Sequence, residues 1–213
     1  MTPAKIKKLL QFHELLFAHY GELECALYYS EPHELMIAAM LSAQCTDKRV
    51  NIITEKLFKK YRSVKDFATV EQEELEGDIR TAGLFRSKAK NIIATCNIII
   101  AQFNGQVPQT MEELNSLPGL GRKTANVVLG NAFKVPGFPV DTHVQRVLNR
   151  LGVVDSKYPE KIEKAVTAVV PDKLWTNFSH LIITHGRQTC QARKPDCLNC
   201  SANNICKYGK NNK

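Results

Sequence analysis

The sequence predicts an all-α fold. Apolar residues recur at three- and four-residue spacing, cap residues stand where those stripes begin and end, and no alternating run is closed by a hairpin turn. Ile6, Leu9, Leu10, His13 and Leu16 form the first stripe, in a segment whose interspersed charges and missing cleavage site set it apart from a secretory signal. Ile37, Met40, Leu41 and Cys45 form the second. Thr110 and Glu113 in TMEELNSL stand in capping-box spacing, so a helix starts there. Asp141 precedes THVQRVLNRLG, where Val144, Val147, Leu148 and Leu151 recur on one helical face and Gly152 provides a stop. PEKIEKAVTAVV and LWTNFSHLIITHG supply two more helices. KVPGFPV (134–140), rich in proline and glycine, is where packing units are expected to meet.

At 213 residues, with 44% hydrophobic and 23% charged content, the chain has the length and composition of one large or two small globular domains. LMIAAML and IIIA are far shorter than the ~20 apolar residues of a membrane span, so no membrane association is expected and the setting is cytoplasmic. The net charge of +8 favours a polyanionic partner. Its placement is more telling: residues 184–213 carry Arg187, Arg193, Lys194, Lys207, Lys210 and Lys213 against the single acid Asp196.

The stretch LNSLPGLGRKTANVVLG (114–130) sets Pro118, Gly119, Gly121 and the pair Arg122–Lys123 between apolar segments. GRKT is like the end of a Walker A loop, but that motif needs four residues between its glycine and the GK pair, after a strand. Here one residue separates the glycines and a helix precedes, so neither that loop nor a Rossmann fingerprint fits. A helix–hairpin–helix does. Pro118 stops the first helix, and Gly119 and Gly121 allow left-handed or tight backbone geometry and let N–H groups meet an oxygen directly. A second helix starting near Arg122 turns its positive end to the same place, which suits a phosphodiester without base contacts. A plain helix join is the other reading of these residues. EELEGDIRTAGLFRSKAKNII (73–93) faintly echoes the segment, with Phe85 where the second glycine would stand and would block a close backbone approach.

Of seven cysteines, Cys25, Cys45 and Cys96 are scattered in apolar segments and read as reduced core residues. Cys190, Cys197, Cys200 and Cys206 form a C-x6-C-x2-C-x5-C array, which points to a metal or iron–sulfur site rather than disulfides. Spacing alone does not separate zinc from iron–sulfur. Arg193 and Lys194 lie between the first two of these cysteines, where a folded loop would hold them toward a phosphate backbone.

LPGLGRKTANVV, VDTHVQRVLNRLG and the four-cysteine array, in that order, resemble the endonuclease III family of helix–hairpin–helix DNA glycosylases. The resemblance runs nearly end to end and includes LSAQCTDKRVN (41–51) and AGLFRSKAKNI (82–92); Asn115 and Cys45 depart from the family's pattern. It implies two helical domains with the active site in the cleft between them: a six-helix barrel over 25–133, holding the helix–hairpin–helix at about 110–133, and a cluster domain made of 1–24 and 134–213. It further implies a 4Fe–4S cluster on Cys190, Cys197, Cys200 and Cys206 in the loop 190–206. Lys123 becomes the nucleophile and Asp141 the essential carboxylate, and Gln44 and Leu84 enter the space left by a flipped nucleotide. The remaining DNA contacts fall on Gly119, Gly121, Arg122, Arg193 and Lys194.

The activity so implied is base-excision glycosylase and AP lyase chemistry on duplex DNA carrying oxidised pyrimidines or abasic sites, by a monomeric, nucleoid-associated enzyme. An amine attacks C1′ only as the free base, which a solvated lysine offers in about one molecule in two thousand at pH 7. On local residues alone Lys123 reads as a solvated helix lysine, and Asp141 as an N-cap. A monofunctional glycosylase of the same superfamily is the nearest rival; it lacks the lysine and usually carries a further C-terminal domain, which is not expected here. A non-enzymatic DNA-binding protein is the rival from another class.

Overall fold

The first apolar stripe becomes helix α1 (Pro3–Tyr20), started by Thr2, whose hydroxyl accepts from the Lys5 N–H at 3.4 Å, and buried along Leu9, Phe12 and Leu16. The structure, a computed structural model, describes residues 1–210, so Lys213 of the basic segment lies outside the described residues. All regular structure among the described residues is helical, as the periodicity predicts. The chain divides into two compact units, one of residues 25–135 and one of residues 1–24 with the chain from Pro136 on.

In the unit of residues 25–135, α2 (Pro32–Leu41) is buried from Leu35 through Leu41. A helix apolar on every side is a central helix and not an amphipathic one, so the expected stripe of Ile37, Met40 and Leu41 is one side of a fully enclosed segment. The stripe also ends sooner than its spacing suggests. Ser42 caps the helix, its hydroxyl donating to Ala39 O at 2.7 Å, and Cys45 falls in the turn beyond. Next come α3 (Asp47–Lys60), α4 (Val64–Thr69) and α5 (Gln72–Asp78), followed by a 3-10 turn at Arg80–Ala82. The long α6 (Phe85–Phe103) packs on α4 and α5, with Ala89, Ile92, Cys96 and Ile99 buried. Two shorter helices, α7 (Met111–Ser116) and α8 (Arg122–Ala132), close this unit, α8 packing on α2. Thr110 caps α7, its hydroxyl accepting from the Glu113 N–H at 3.2 Å and donating to the Glu113 carboxylate at 2.6 Å.

The other unit adds α9 (Thr142–Leu151), α10 (Pro159–Thr167), α11 (Trp175–Gln188) and the single turn α12 (Lys207–Lys210) to α1. Gly152 ends α9 in the left-handed conformation, φ 83°, as its sequence position predicts. The core is aromatic: Phe178 of α11 meets Phe12, His13 and Phe138 at centroid distances of 6.3, 5.0 and 6.1 Å, and all three phenylalanines are buried. Trp175, the only tryptophan of the chain, donates its indole N–H to Val170 O at 2.8 Å. Among the described residues no helix is long and apolar enough to cross a membrane.

Because Phe178 is fully buried at the centre of this cluster, Phe178→Ala should cost about 3–5 kcal/mol. The loss is expected as a lowered denaturant midpoint for Trp175 fluorescence, the reporter of the same unit.

Candidate functional site

The hairpin between α7 and α8 is built from two buried leucines and two glycines that do different work. Leu117 and Leu120 anchor the turn in the core, and the Leu120 N–H donates to Leu117 O at 3.2 Å. Thr95 of α6 holds it from beneath, donating to Pro118 O at 2.8 Å. The leucines turn inward, so Gly119, Gly121, Arg122 and Lys123 are left exposed. Gly119 sits at φ +78°, and a Cβ there would lie 3.0 Å from Asn91 Cβ and 3.1 Å from Met40 Cε. Its backbone therefore favours glycine, and any Cβ would also press on Asn91 and Met40.

Gly121 corrects the expectation that both glycines serve special geometry. Its φ of −96° suits any residue, and an added Cβ would meet nothing within 4 Å. Nothing inside the molecule requires glycine at this position. It is the N-cap of α8 and offers no side chain to the first turn, whose first intrahelical bond is Ala125 N–H to Gly121 O at 3.0 Å. An exposed helix start with no capping side chain presents N–H groups and the positive end of the dipole to an incoming anion. Lys123 is the second residue of that helix.

The faint internal echo is also structural. Gly83 takes φ +69°, as Gly119 takes +78°, and both precede a leucine and then a helix. The leucines then diverge: Leu120 is 5% exposed and Leu84 57%. Leu84 itself is left-handed (φ 49°, ψ 28°), and Gln44, exposed in the turn after α2, is left-handed as well (φ 54°). Such backbone is uncommon for residues with a Cβ and collects at functional positions.

In the other unit, Asp141 caps α9 through one oxygen. Oδ1 accepts from both the His143 and Val144 N–H groups at 2.8 Å, and Oδ2 takes no hydrogen bond among the described residues. The cap thus occupies one oxygen of the carboxylate and leaves the other outside it. His143 is held by Arg146, whose Nη2 lies 3.1 Å from its Nδ1 and 2.8 Å from Gly186 O. A guanidinium only donates, so Nδ1 accepts and the ring proton sits on Nε2. Burial pushes the His143 pKa down, with Asp141 opposing.

Cys190, Cys197, Cys200 and Cys206 line one cavity, with Phe12, Val147, Leu151 and Ala202 among its apolar walls. Among the described residues no three His, Cys, Asp or Glu side chains converge to hold a single ion. Arg150 organises the loop between the first two thiols: Nη1 donates to Gln191 O at 2.7 Å and lies 3.5 Å from Cys190 Sγ, and Nη2 donates to Ala192 O at 2.8 Å. Its guanidinium also covers the Tyr208 ring at 4.5 Å. With the loop base fixed this way, Arg193 and Lys194 stand exposed beyond it. The His185 ring bridges Tyr20, 3.2 Å from Nδ1, and Cys200 Sγ, 3.7 Å from Nε2. Nothing in the local sequence pattern of Arg150 or His185 distinguishes them from other helix residues.

Residues 37–172 match the family model of the HhH-GPD superfamily base excision DNA repair proteins. Endonuclease III of Synechocystis sp. is 47% identical over 88% of this chain and 86% of its own length. A solved structure of a non-covalent endonuclease III–DNA complex superposes with a TM-score of 0.94 at 41% identity, covering 100% of this chain and 99% of that one. A trapped endonuclease III–DNA covalent intermediate gives the same TM-score, identity and coverage. The chain belongs to the HhH-GPD superfamily and, within it, to the endonuclease III family.

Two pairs of variants probe these positions. Asp141→Ala should destabilise by about 0.5–2 kcal/mol through the lost cap, while Asp141→Asn, an equally good cap, should leave the thermal midpoint nearly unchanged. Gly119→Ala should lower the midpoint, and Gly121→Ala should lower it less, by its weaker capping alone, while weakening binding to duplex DNA; equal midpoint losses at the two glycines would contradict this division.

Proposed function

We propose that this member of the endonuclease III family is a bifunctional DNA glycosylase and AP lyase that removes oxidised pyrimidines from duplex DNA. The observation that carries the reading is the exposed start of α8, with glycine at its N-cap and Lys123 one residue inside. A phosphate received by the first turn brings the neighbouring sugar to the lysine. Gly119, Gly121 and Arg122 then contact the backbone, and the chemistry passes to Lys123.

The steps use groups of this chain. Free-base Lys123 attacks C1′; the new C–N bond forms as the glycosidic bond breaks, and the base leaves with its electron pair. Positive charge develops on the sugar, and Asp141 Oδ2, the oxygen not used as cap, stabilises it or accepts a proton. Opening of the sugar gives a protonated Schiff base to Nζ. Loss of a C2′ proton with departure of the C3′ phosphate is β-elimination, and it cuts the strand 3′ to the site. Gln44 and Leu84, exposed on left-handed backbone, enter the space the nucleotide leaves.

Four thiols around one cavity with apolar walls suit an iron–sulfur group, and we assign Cys190, Cys197, Cys200 and Cys206 to a 4Fe–4S cluster. Bound there, it supplies the cross-link that folds the loop 190–206 and holds Arg193 and Lys194 toward the DNA backbone. A ligated thiolate only accepts, so His185 donates to Cys200 from Nε2 and accepts from Tyr20 at Nδ1. In this reading residues 25–133 form a six-helix barrel with the hairpin at about 110–133, and residues 1–24 and 134–213 the cluster domain. The enzyme works as a monomer in the cytoplasm, on the nucleoid.

Borohydride trapping on abasic-site duplex should give a covalent adduct with the intact protein and none with Lys123→Ala; undiminished trapping would remove Lys123 from the role. Arg193→Glu/Lys194→Glu should lower the salt slope of DNA affinity by roughly one to two, the number of phosphates released; an unchanged slope rules out contacts there. A brown protein with broad visible absorption that bleaches when Cys197 is replaced supports the cluster. A colourless protein containing zinc overturns it.

A further inference from the structure

Left-handed backbone at a residue with a Cβ needs an outside hold, and the same side chain reaches the turns of both Gln44 and Leu84. Lys88, in the first turn of α6, is 6% exposed. Its Nζ donates to Leu41 O at 2.8 Å, Ala43 O at 2.7 Å and Ala82 O at 2.8 Å. Leu41 is the last residue of α2, Ala43 immediately precedes Gln44, and Ala82 lies two residues before Leu84. An ammonium has three donors and no acceptor, so these carbonyls use its full capacity. Burial lowers the lysine's pKa, which is the cost of placing this cation under two turns. The backbone acts in the same direction: the Lys88 N–H donates to Leu84 O at 3.0 Å, and the Cys45 N–H closes the Gln44 turn on Ser42 O at 3.1 Å.

We infer that Lys88 is a positioning residue for duplex opening. It ties the turn carrying Gln44 to the turn carrying Leu84, so that the two side chains enter the base stack at a fixed separation. The inference rests on the reading of Gln44 and Leu84 given above. Packing alone would not select this residue, because an apolar side chain of similar length would fill the same volume without joining three carbonyls. The charge-assisted bonds are what make the link between the turns directional. A neutral or shorter replacement leaves three buried carbonyls without their donor and lets the turns settle independently.

The test uses the full-length protein saturating a duplex with a non-cleavable tetrahydrofuran abasic analogue opposite 2-aminopurine, whose fluorescence rises when it is unstacked. The intact protein should produce the rise, and Gln44→Ala/Leu84→Ala should abolish most of it. Lys88→Met should lose most of it too, while still saturating the duplex, and should cause no further loss in the Gln44→Ala/Leu84→Ala background. Should Lys88→Met not fold, Lys88→Gln, which keeps two donors, replaces it with an intermediate amplitude expected. Full amplitude with a folded Lys88 variant overturns the inference, as does an amplitude that falls only in step with saturation of the duplex, the mark of a merely structural lysine. Full amplitude with Gln44→Ala/Leu84→Ala overturns the reading of those two residues and the inference with it, and so tells the two failures apart.

Discussion

The close approach at Gly119 is the constraint on which the hairpin between α7 and α8 depends. With a φ of +78° and no space for a Cβ against Asn91 and Met40, the chain reverses in the width of a backbone and drops Leu117 and Leu120 into the core on either side. That reversal lets α8 begin at the surface with its axis rooted in a buried interior, from Ala125 through Val128 and Leu129 to Asn131. A rigid helix whose first turn is exposed is a good platform for a nucleophile, because the reactive group inherits the order of the core behind it.

The second unit repeats this logic with different chemistry. Asp141 is fixed by the two backbone donors on Oδ1, so the remaining oxygen is aimed by a helix and not by a flexible side chain. Arg146 and Arg150, one turn apart on α9, reach the end of α11 and the loop after Cys190. A single helix thus orients the carboxylate at its start and the thiol-bearing loop along its length. The apolar face of α9, Val144, Val147, Leu148 and Leu151, holds that helix against the aromatic core around Phe178.

What could be read from the sequence, and what could not, follows from the range of the interactions concerned. The caps at Thr110 and Asp141, the stop at Gly152 and the glycine turn at 119 are set by neighbours within a few residues, and spacing reveals them. The four thiols are close in sequence, and the structure brings them to one cavity. Gln44 and Leu84 were reached only through resemblance, because neither residue type signals positive φ. The third layer, Lys88, was invisible: a lysine among the charges of FRSKAKNII reads as solvated, and only the carbonyls of Leu41 and Ala43, more than forty residues away in the chain, bury it. The misreading at Gly121 has the reverse origin. Of the two reasons for glycine given by the sequence, special backbone geometry and room for N–H groups to meet an oxygen, its φ of −96° removes the first.

The two-part composition of the unit that holds the cysteines bears on how the protein is made. Leu9, Phe12 and Leu16 of α1 are buried with Phe178, Leu181 and Ile182 of α11, yet α1 emerges from the ribosome well before α11. At 5–20 residues per second the interval is on the order of ten seconds or more. Residues 25–135 contain all of their own core and can close during that time. Helix α1, with its apolar face uncovered, must meanwhile be shielded or wait, so the step that completes this unit joins segments that lie on either side of the other unit in the chain.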